Sequence, residues 1–270
     1  MLTKDLAICI RATDFSETSQ IVTFFTRANG KISAIARGSK RPRSKFDGPI
    51  EVFAQGEIVF ADSNKEKLAT LTEFQQQGFT NLINNTFTLN CCLFAVELIN
   101  SMTDDYDPHL ELFDSFLSFL QNANEHRVSS ISTGRLSAEH QGMLSLLILF
   151  QLTLLKEVGL IPVFDACVNC KRMWHGHLGR VSTGWKPVPQ ATSNDVYFSS
   201  AANGFICKDC EHSFPDKIRL SSNAVDCLSN LKSIADADEK TLREIEKVLI
   251  RHFTELIGKP PKMAKHILIK

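Results

Sequence analysis

Up to residue 80 the apolar positions of the chain come in short runs rich in β-branched and aromatic side chains; beyond it they recur in steps of three and four. The early runs are residues 6–11 (LAICIR), 19–26 (SQIVTFFT), 31–36 (KISAIA), 50–61 (IEVFAQGEIVFA) and 68–74 (LATLTEF). Side chains of this kind suit a pleated, half-buried surface, so five short strands separated by turn-like or charged segments imply a small barrel or sandwich. A five-stranded OB-type barrel, whose usual ligand is nucleic acid, belongs to that set, although strand count alone does not separate it from an SH3-like barrel.

From residue 80 onward the period is helical. Leu82, Thr86, Leu89, Leu93, Val96 and Asn100 step along one face, and Phe94 and Leu98 broaden it. Asp107 and Pro108 suit a second helix start, the acid capping free amides and the proline taking the first helical position; Leu110, Phe113, Phe116, Leu117 and Leu120 form its stripe. A third helix over 138–158 closes at Gly159 and Pro162. Two more are expected near 222–234 and 239–257, the last with Leu242, Ile245, Leu249, Phe253 and Leu256 on one side and Gly258, Pro260 and Pro261 at its end. No internal repeat or low-complexity segment is present. The pattern predicts an α+β chain: an N-terminal OB-type barrel at 1–79, a helical domain from 80–163 and 217–258, an inserted cysteine lobe at 164–216 and a tail at 259–270. The two helical parts are expected to form one bundle.

Charge adds a polarity that the total conceals. Thirty basic and thirty acidic residues give a formal net charge of zero (Lys+Arg 30, Asp+Glu 30), yet residues 27–45 hold seven Lys or Arg and no acid, while 97–126 hold seven acids and no Lys or Arg. This implies one anion-seeking surface and a separate acidic body. Residues 1–14 lack the basic start and apolar core of a signal peptide, and the most apolar run, 143–155, is too short to span a bilayer, so a cytoplasmic chain is expected.

Four of the eight cysteines fall into two pairs, Cys167/Cys170 and Cys207/Cys210. Each CxxC turn lets two thiolates bite one ion, and two turns complete a closed tetrahedron, so the spacing points to structural zinc. A redox pair is the weaker reading, and His175, His177 or His212 remain open as a substitute ligand. The 36 residues between the pairs must fold back as a lobe, with Gly176, Gly179, Gly184, Pro187, Pro189 and Gly204 marking turns around strands such as 196–198. A four-thiolate shell leaves no open coordination position, so such an ion staples and does not activate water. Cys9, Cys91, Cys92 and Cys227 read as buried structural thiols.

The basic run is sharpest at 37–45, where Arg37, Lys40, Arg41, Arg43 and Lys45 place five cations in nine residues. Gly38 and Pro42 exclude a helix, so this is a loop between strands whose cations suit a phosphate backbone; Phe46 could stack on a base or anchor the core. Arg27 and Lys31 extend the patch. The bland alternative is a solvated loop without a partner.

The sequence carries no dinucleotide or P-loop glycine pattern, no GxSxG and no HExxH. His109 and Glu111 match half of a zinc deaminase signature, but Asp165-Ala166 stands before Cys167 where that signature needs proline, and two cysteines would be left over. A non-enzymatic chain is expected.

Several segments, in order, resemble the RecO family of recombinational repair proteins: 15–27 (FSETSQIVTFFTR), 30–38 (GKISAIARG), 39–46 (SKRPRSKF), 154–162 (LLKEVGLIP) running into Cys167–Cys170, and 203–210 (NGFICKDC). The resemblance implies an OB-fold, a helical domain and a zinc lobe. It also implies binding of single- and double-stranded DNA, annealing of complementary strands, and action with RecR and single-stranded DNA-binding protein (SSB) to load RecA. Lys31, Arg37, Lys40, Arg41, Arg43 and Lys45 are its candidates for backbone contact. Two departures stand out: Lys171 follows the first cysteine pair where the family often has glycine, and the tail reads Lys259-Pro-Pro-Lys262-Met-Ala-Lys265. The competing reading is a zinc-ribbon adaptor that binds only protein and docks through its acidic helices.

Overall fold

A computed structural model describes residues 2–46, 48–61, 68–78, 85–130, 136–173 and 195–268. The chain divides into two compact units, Met1–Val128 and Ser129–Lys270.

In the first unit five strands follow one another: β1 (Leu2–Asp14), β2 (Gln20–Thr26), β3 (Gly30–Ala36), β4 (Gln55–Ala61) and β5 (Ala69–Gly78). Their order, β1-β2-β3-β5-β4, closes into a barrel through the β1–β4 ladder and a short parallel pairing of Ala34 with Ala69 and Ile35 with Thr70. This is the OB-like α+β arrangement that the pattern implied. Period-two alternation explains how β2 serves two surfaces. Val22 and Phe24 join the barrel core, where Phe24 meets Phe74 at 5.6 Å between ring centroids. Phe25, on the opposite face, meets Phe113 at 5.9 Å and Phe116 at 6.4 Å.

Those two rings lie on α2 (Leu110–Ser130), which follows α1 (Thr86–Met102). Asn85 caps α1, its side-chain oxygen accepting from the Phe87 and Thr88 amides. Compactness therefore groups α1 and α2 with the barrel, whereas hydrophobic period alone grouped them with the later helices. Helix α2 starts at Leu110, later than the Asp107-Pro108 pair predicted, and the Asp107 carboxylate lies 3.3 Å from His109 Nε2. Gly30 (φ 70) makes this packing possible, since a Cβ there would collide with the Asp107 backbone. β4 also starts later than predicted. Residues 50–54 leave the strand path, with Phe53 in the left-handed region (φ 70) and its amide donating to the Cys9 carbonyl at 2.7 Å.

The second unit pairs α3 (Leu136–Glu157) with α5 (Glu239–Ile257), beside α4 (Ser222–Ser229) and a sheet ordered β7-β6-β8 from β6 (Val196–Ser199), β7 (Gly204–Cys207) and β8 (Ile218–Leu220). Leu242, Ile245, Leu249 and Phe253 of α5 are fully buried, as their spacing predicted. Asp238 caps the helix by accepting from the Thr241 amide at 2.7 Å, and Gly258 ends it at φ 76. In the tail a short helix, α6 (Ala264–Ile267), buries Ala264 and Ile267. Among the described residues no helix is long and apolar enough to cross a membrane.

Candidate nucleic-acid interface and metal centre

The basic loop leaves β3 at Ala36 and forms a series of turns before Ile50. Gly38 (φ 75) bends it, the Arg41 amide donates to the Gly38 carbonyl at 3.1 Å, and the Ser44 amide donates to the Arg41 carbonyl at 3.0 Å. These turns hold Arg37, Arg41, Arg43 and Lys45 exposed, and none of the four belongs to an ion pair among the described residues. Phe46 is the core anchor and not a stacking platform: it is 4% exposed within the barrel cluster, with Lys45 Nζ 5.4 Å from its ring centroid.

Three other cations of the run are engaged within the protein. Arg27 forms a two-pronged pair with Asp114 on α2, at 2.8 and 2.9 Å, which raises the guanidinium pKa and holds the carboxyl below its ordinary range. Lys31 is buried, its Nζ donating to the Asn100 carbonyl at 3.1 Å and lying 3.6 Å from Asp105. Both were expected to extend the patch; their reach is spent on joining the barrel to the helices. Lys40 pairs with Asp14 at 2.6 Å at the edge of the loop.

Sequence reasoning passed over Gln20. It lies on the inward face of β2 with Val22 and Phe24, and its amide spans the loop. Its Oε1 accepts from Ser39 Oγ and from the Ile50 amide, both at 2.9 Å, while its Nε2 donates to the Ile50 carbonyl at 3.2 Å. The available signal was a polar residue at an inward position of an alternating strand.

The second cluster lies where α3 gives way to the small sheet. The Sγ atoms of Cys167, Cys170, Cys207 and Cys210 all lie within 4.8 Å of one another; Cys170 is exposed and the other three are buried. Backbone pairing sets this geometry. The Val163 amide donates to the Asn203 carbonyl at 3.0 Å, and the Val168 amide to the Phe205 carbonyl at 2.9 Å, laying the first knuckle along β7. Gly204 (φ 156) permits the approach, since a Cβ there would come within 2.6 Å of the Val163 carbonyl oxygen. Lys171 adopts φ 59, a left-handed conformation that glycine would take without a Cβ penalty.

The donor set fits a soft divalent ion. Cys170 and Cys207 sulfurs are 3.7 Å apart, too far for a disulfide bond of about 2.05 Å. That distance is close to the roughly 3.8 Å edge of a tetrahedron with Zn–S near 2.3 Å. Burial raises the Cys167 thiol, but hydrogen bonds from the Cys170, Cys207 and Asn169 backbone outweigh it and bring the pKa down to about 7. Asn169 Nδ2 donates to Cys210 Sγ at 3.3 Å, and the Cys207 amide to Cys167 Sγ at 3.4 Å. Burial pushes Cys207 up to about 12, so a full set of thiolates calls for a bound cation. His212 is exposed and outside the cluster; His175 and His177 lie outside the described residues.

Comparison with known proteins agrees across both units. Residues 1–77 match the family model for the recombination protein O N-terminal region, and residues 84–265 match that for its C-terminal region. The chain is 28% identical to the DNA repair protein RecO of Bacillus pumilus, covering 96% of this chain and 90% of the relative. It is 26% identical to that of Bacillus subtilis (96% and 91% covered) and 28% identical to that of Rhodopirellula baltica (88% and 77% covered).

Proposed function

The chain belongs to the RecO family of DNA repair proteins, and from that premise we propose that it is a recombinational mediator that binds single- and double-stranded DNA through the loop between β3 and β4. The observation that carries this reading is the set of four exposed cations, Arg37, Arg41, Arg43 and Lys45, on an anchored loop of an OB-like barrel. Phosphate neutralisation by such groups is indifferent to sequence and leaves base edges available for pairing. Two strands screened by this surface and brought close then anneal without any covalent bond being made or broken, so the proposed role is non-enzymatic; the proposed compartment is the cytoplasm. The barrel, residues 1–79, is the proposed DNA-binding domain. RecR, SSB and, indirectly, RecA are the proposed protein partners. Lys40 contributes at the margin of the surface; Lys31 is buried and supports it from within, and Arg27, exposed but paired with Asp114, adds little.

The residues proposed to hold zinc are Cys167, Cys170, Cys207 and Cys210. Four thiolates close the coordination shell, so the ion serves as a cross-link of the lobe.

An annealing assay with complementary labelled oligonucleotides tests the reading. The protein should accelerate pairing at low salt, and replacing Arg37, Arg41, Arg43 and Lys45 together by Ala should abolish the acceleration. Absence of both annealing and DNA binding at low salt would favour the protein-only adaptor.

A further inference from the structure

We propose that Gln20 is the positioning residue of the DNA-contact loop, holding the exposed cations in a preformed array. This rests on the DNA-binding reading of the loop. Gln20 is an uncharged side chain and only 6% exposed. Its three hydrogen bonds go to Ser39 on the outgoing side of the loop and to Ile50 on the returning side, so one side chain ties together positions eleven residues apart (39 and 50).

The surrounding contacts work in the same direction. Ser39 is fully buried, the Lys40 amide donates to the Thr18 carbonyl at 3.1 Å, and the Gly38 amide donates to Ser19 Oγ at 3.3 Å. Phe46 and Ile50 are sunk in the barrel core. Among the described residues the anchors are neutral or backbone-derived, except Lys40 with Asp14. The four outward cations repel one another and would spread on a slack loop; a neutral clamp holds them together without cancelling their charge. Ordering the loop before binding removes a conformational cost that binding would otherwise bear.

This makes a prediction that separates position from charge. Gln20→Ala leaves every cation in place, so the number of phosphates neutralised, and hence the slope of log Kd against log salt, should match the wild type. The Kd itself should rise about fivefold as the loop is ordered only on binding. Loop-end amides, above all that of Ile50, should exchange faster with solvent. A Kd equal to wild type despite faster Ile50 exchange would overturn the positioning role while leaving the DNA-binding reading intact. Failure of the wild type itself to bind a random-sequence oligonucleotide at low salt would overturn that reading and this role with it. Should Gln20→Ala fail to fold, Ser39→Ala removes one of the three bonds with less risk; it should raise Kd about twofold at an unchanged slope, and an unchanged Kd would count against the clamp.

Discussion

The basic loop and the cysteine cluster solve opposite problems with the same device, a set of backbone turns that presents side chains in a fixed array. In the loop, the anchors lie inside and the functional groups outside: Gln20, Ser39, Phe46 and Ile50 are buried, while Arg37, Arg41, Arg43 and Lys45 face solvent. In the cluster, three of the four functional sulfurs are themselves buried, and backbone amides of the two knuckles, that of Cys207 among them, donate to the Cys167 sulfur. An exposed cation keeps its hydration until a phosphate arrives, which suits a partner that comes and goes with salt. A buried thiolate without an ion is costly, which suits a ligand that stays and contributes to folding. On the proposed reading the loop is built for exchange and the cluster for permanence.

The largest effect should come from breaking permanence. Cys207→Ser, or treatment with a strong chelator, should destabilise the second unit by about 5 kcal/mol or more, the scale of structural zinc sites. Thermal unfolding with parallel detection of released zinc would measure it, and equal stability with and without metal would contradict the staple. If the regions are independent in function, DNA affinity of the metal-free protein at low temperature should change less than replacing the loop cations does. That quadruple Ala variant is the next largest effect, an increase in Kd of about a hundredfold at moderate salt, read by anisotropy with a labelled oligonucleotide.

A smaller test concerns α5 and separates metal loss from ordinary burial. Glu246 is fully buried with Gln151 Nε2 donating to its Oε1 at 2.8 Å, and burial raises its carboxyl to about 7 from an ordinary 4.5. A raised carboxyl pKa means the contribution is fully present below 4.5 and is lost as pH rises through about 7. Glu246→Gln should therefore raise Tm at pH about 8.5, have little effect near pH about 5, and leave zinc content unchanged. An equal shift at both values would assign the effect to packing. Burial acts on His252 in the other direction, lowering it to about 4, so its contribution is present above 6.5 and lost as pH falls through about 4. Least of all should Arg27→Ala affect DNA binding, with Kd within about twofold, because both prongs of its guanidinium meet the Asp114 carboxylate, which cancels its charge locally. A tenfold rise measured in the same titration would return Arg27 to the DNA surface.

How far each region could be read from the chain follows from the distance over which its determinants act. Two cysteines separated by two residues meet around one turn whatever the rest of the fold does, so the donor set was legible from spacing. Helix α5 was legible in its bounds and in most of its stripe, because the apolar period and Gly258 are local; Leu256, expected on the same face, is exposed in the last turn. The basic run was legible as charge but not as available charge. Arg27 finds Asp114 87 residues away, and Lys31 finds the Asn100 carbonyl 69 residues away, pairings that no window along the chain contains. The false start of β4 at residue 50 has a similar origin: the run is apolar because Ile50 and Phe53 fill the core, but Phe53 takes a left-handed turn that a strand forbids. Gln20 was overlooked because a single polar residue on an apolar face carries no motif, and only the loop closing over it discloses its partners.

The most direct test of the central claim is the slope of log Kd against log salt for a random-sequence single-stranded oligonucleotide, measured for the wild type and the quadruple variant of Arg37, Arg41, Arg43 and Lys45. Each phosphate neutralised contributes about 0.7 to the slope for single strands, so the wild type should be steeper than the variant by about 2 to 3. Equal slopes would show that these four cations do not contact the backbone, and would contradict the account of the loop as the DNA surface.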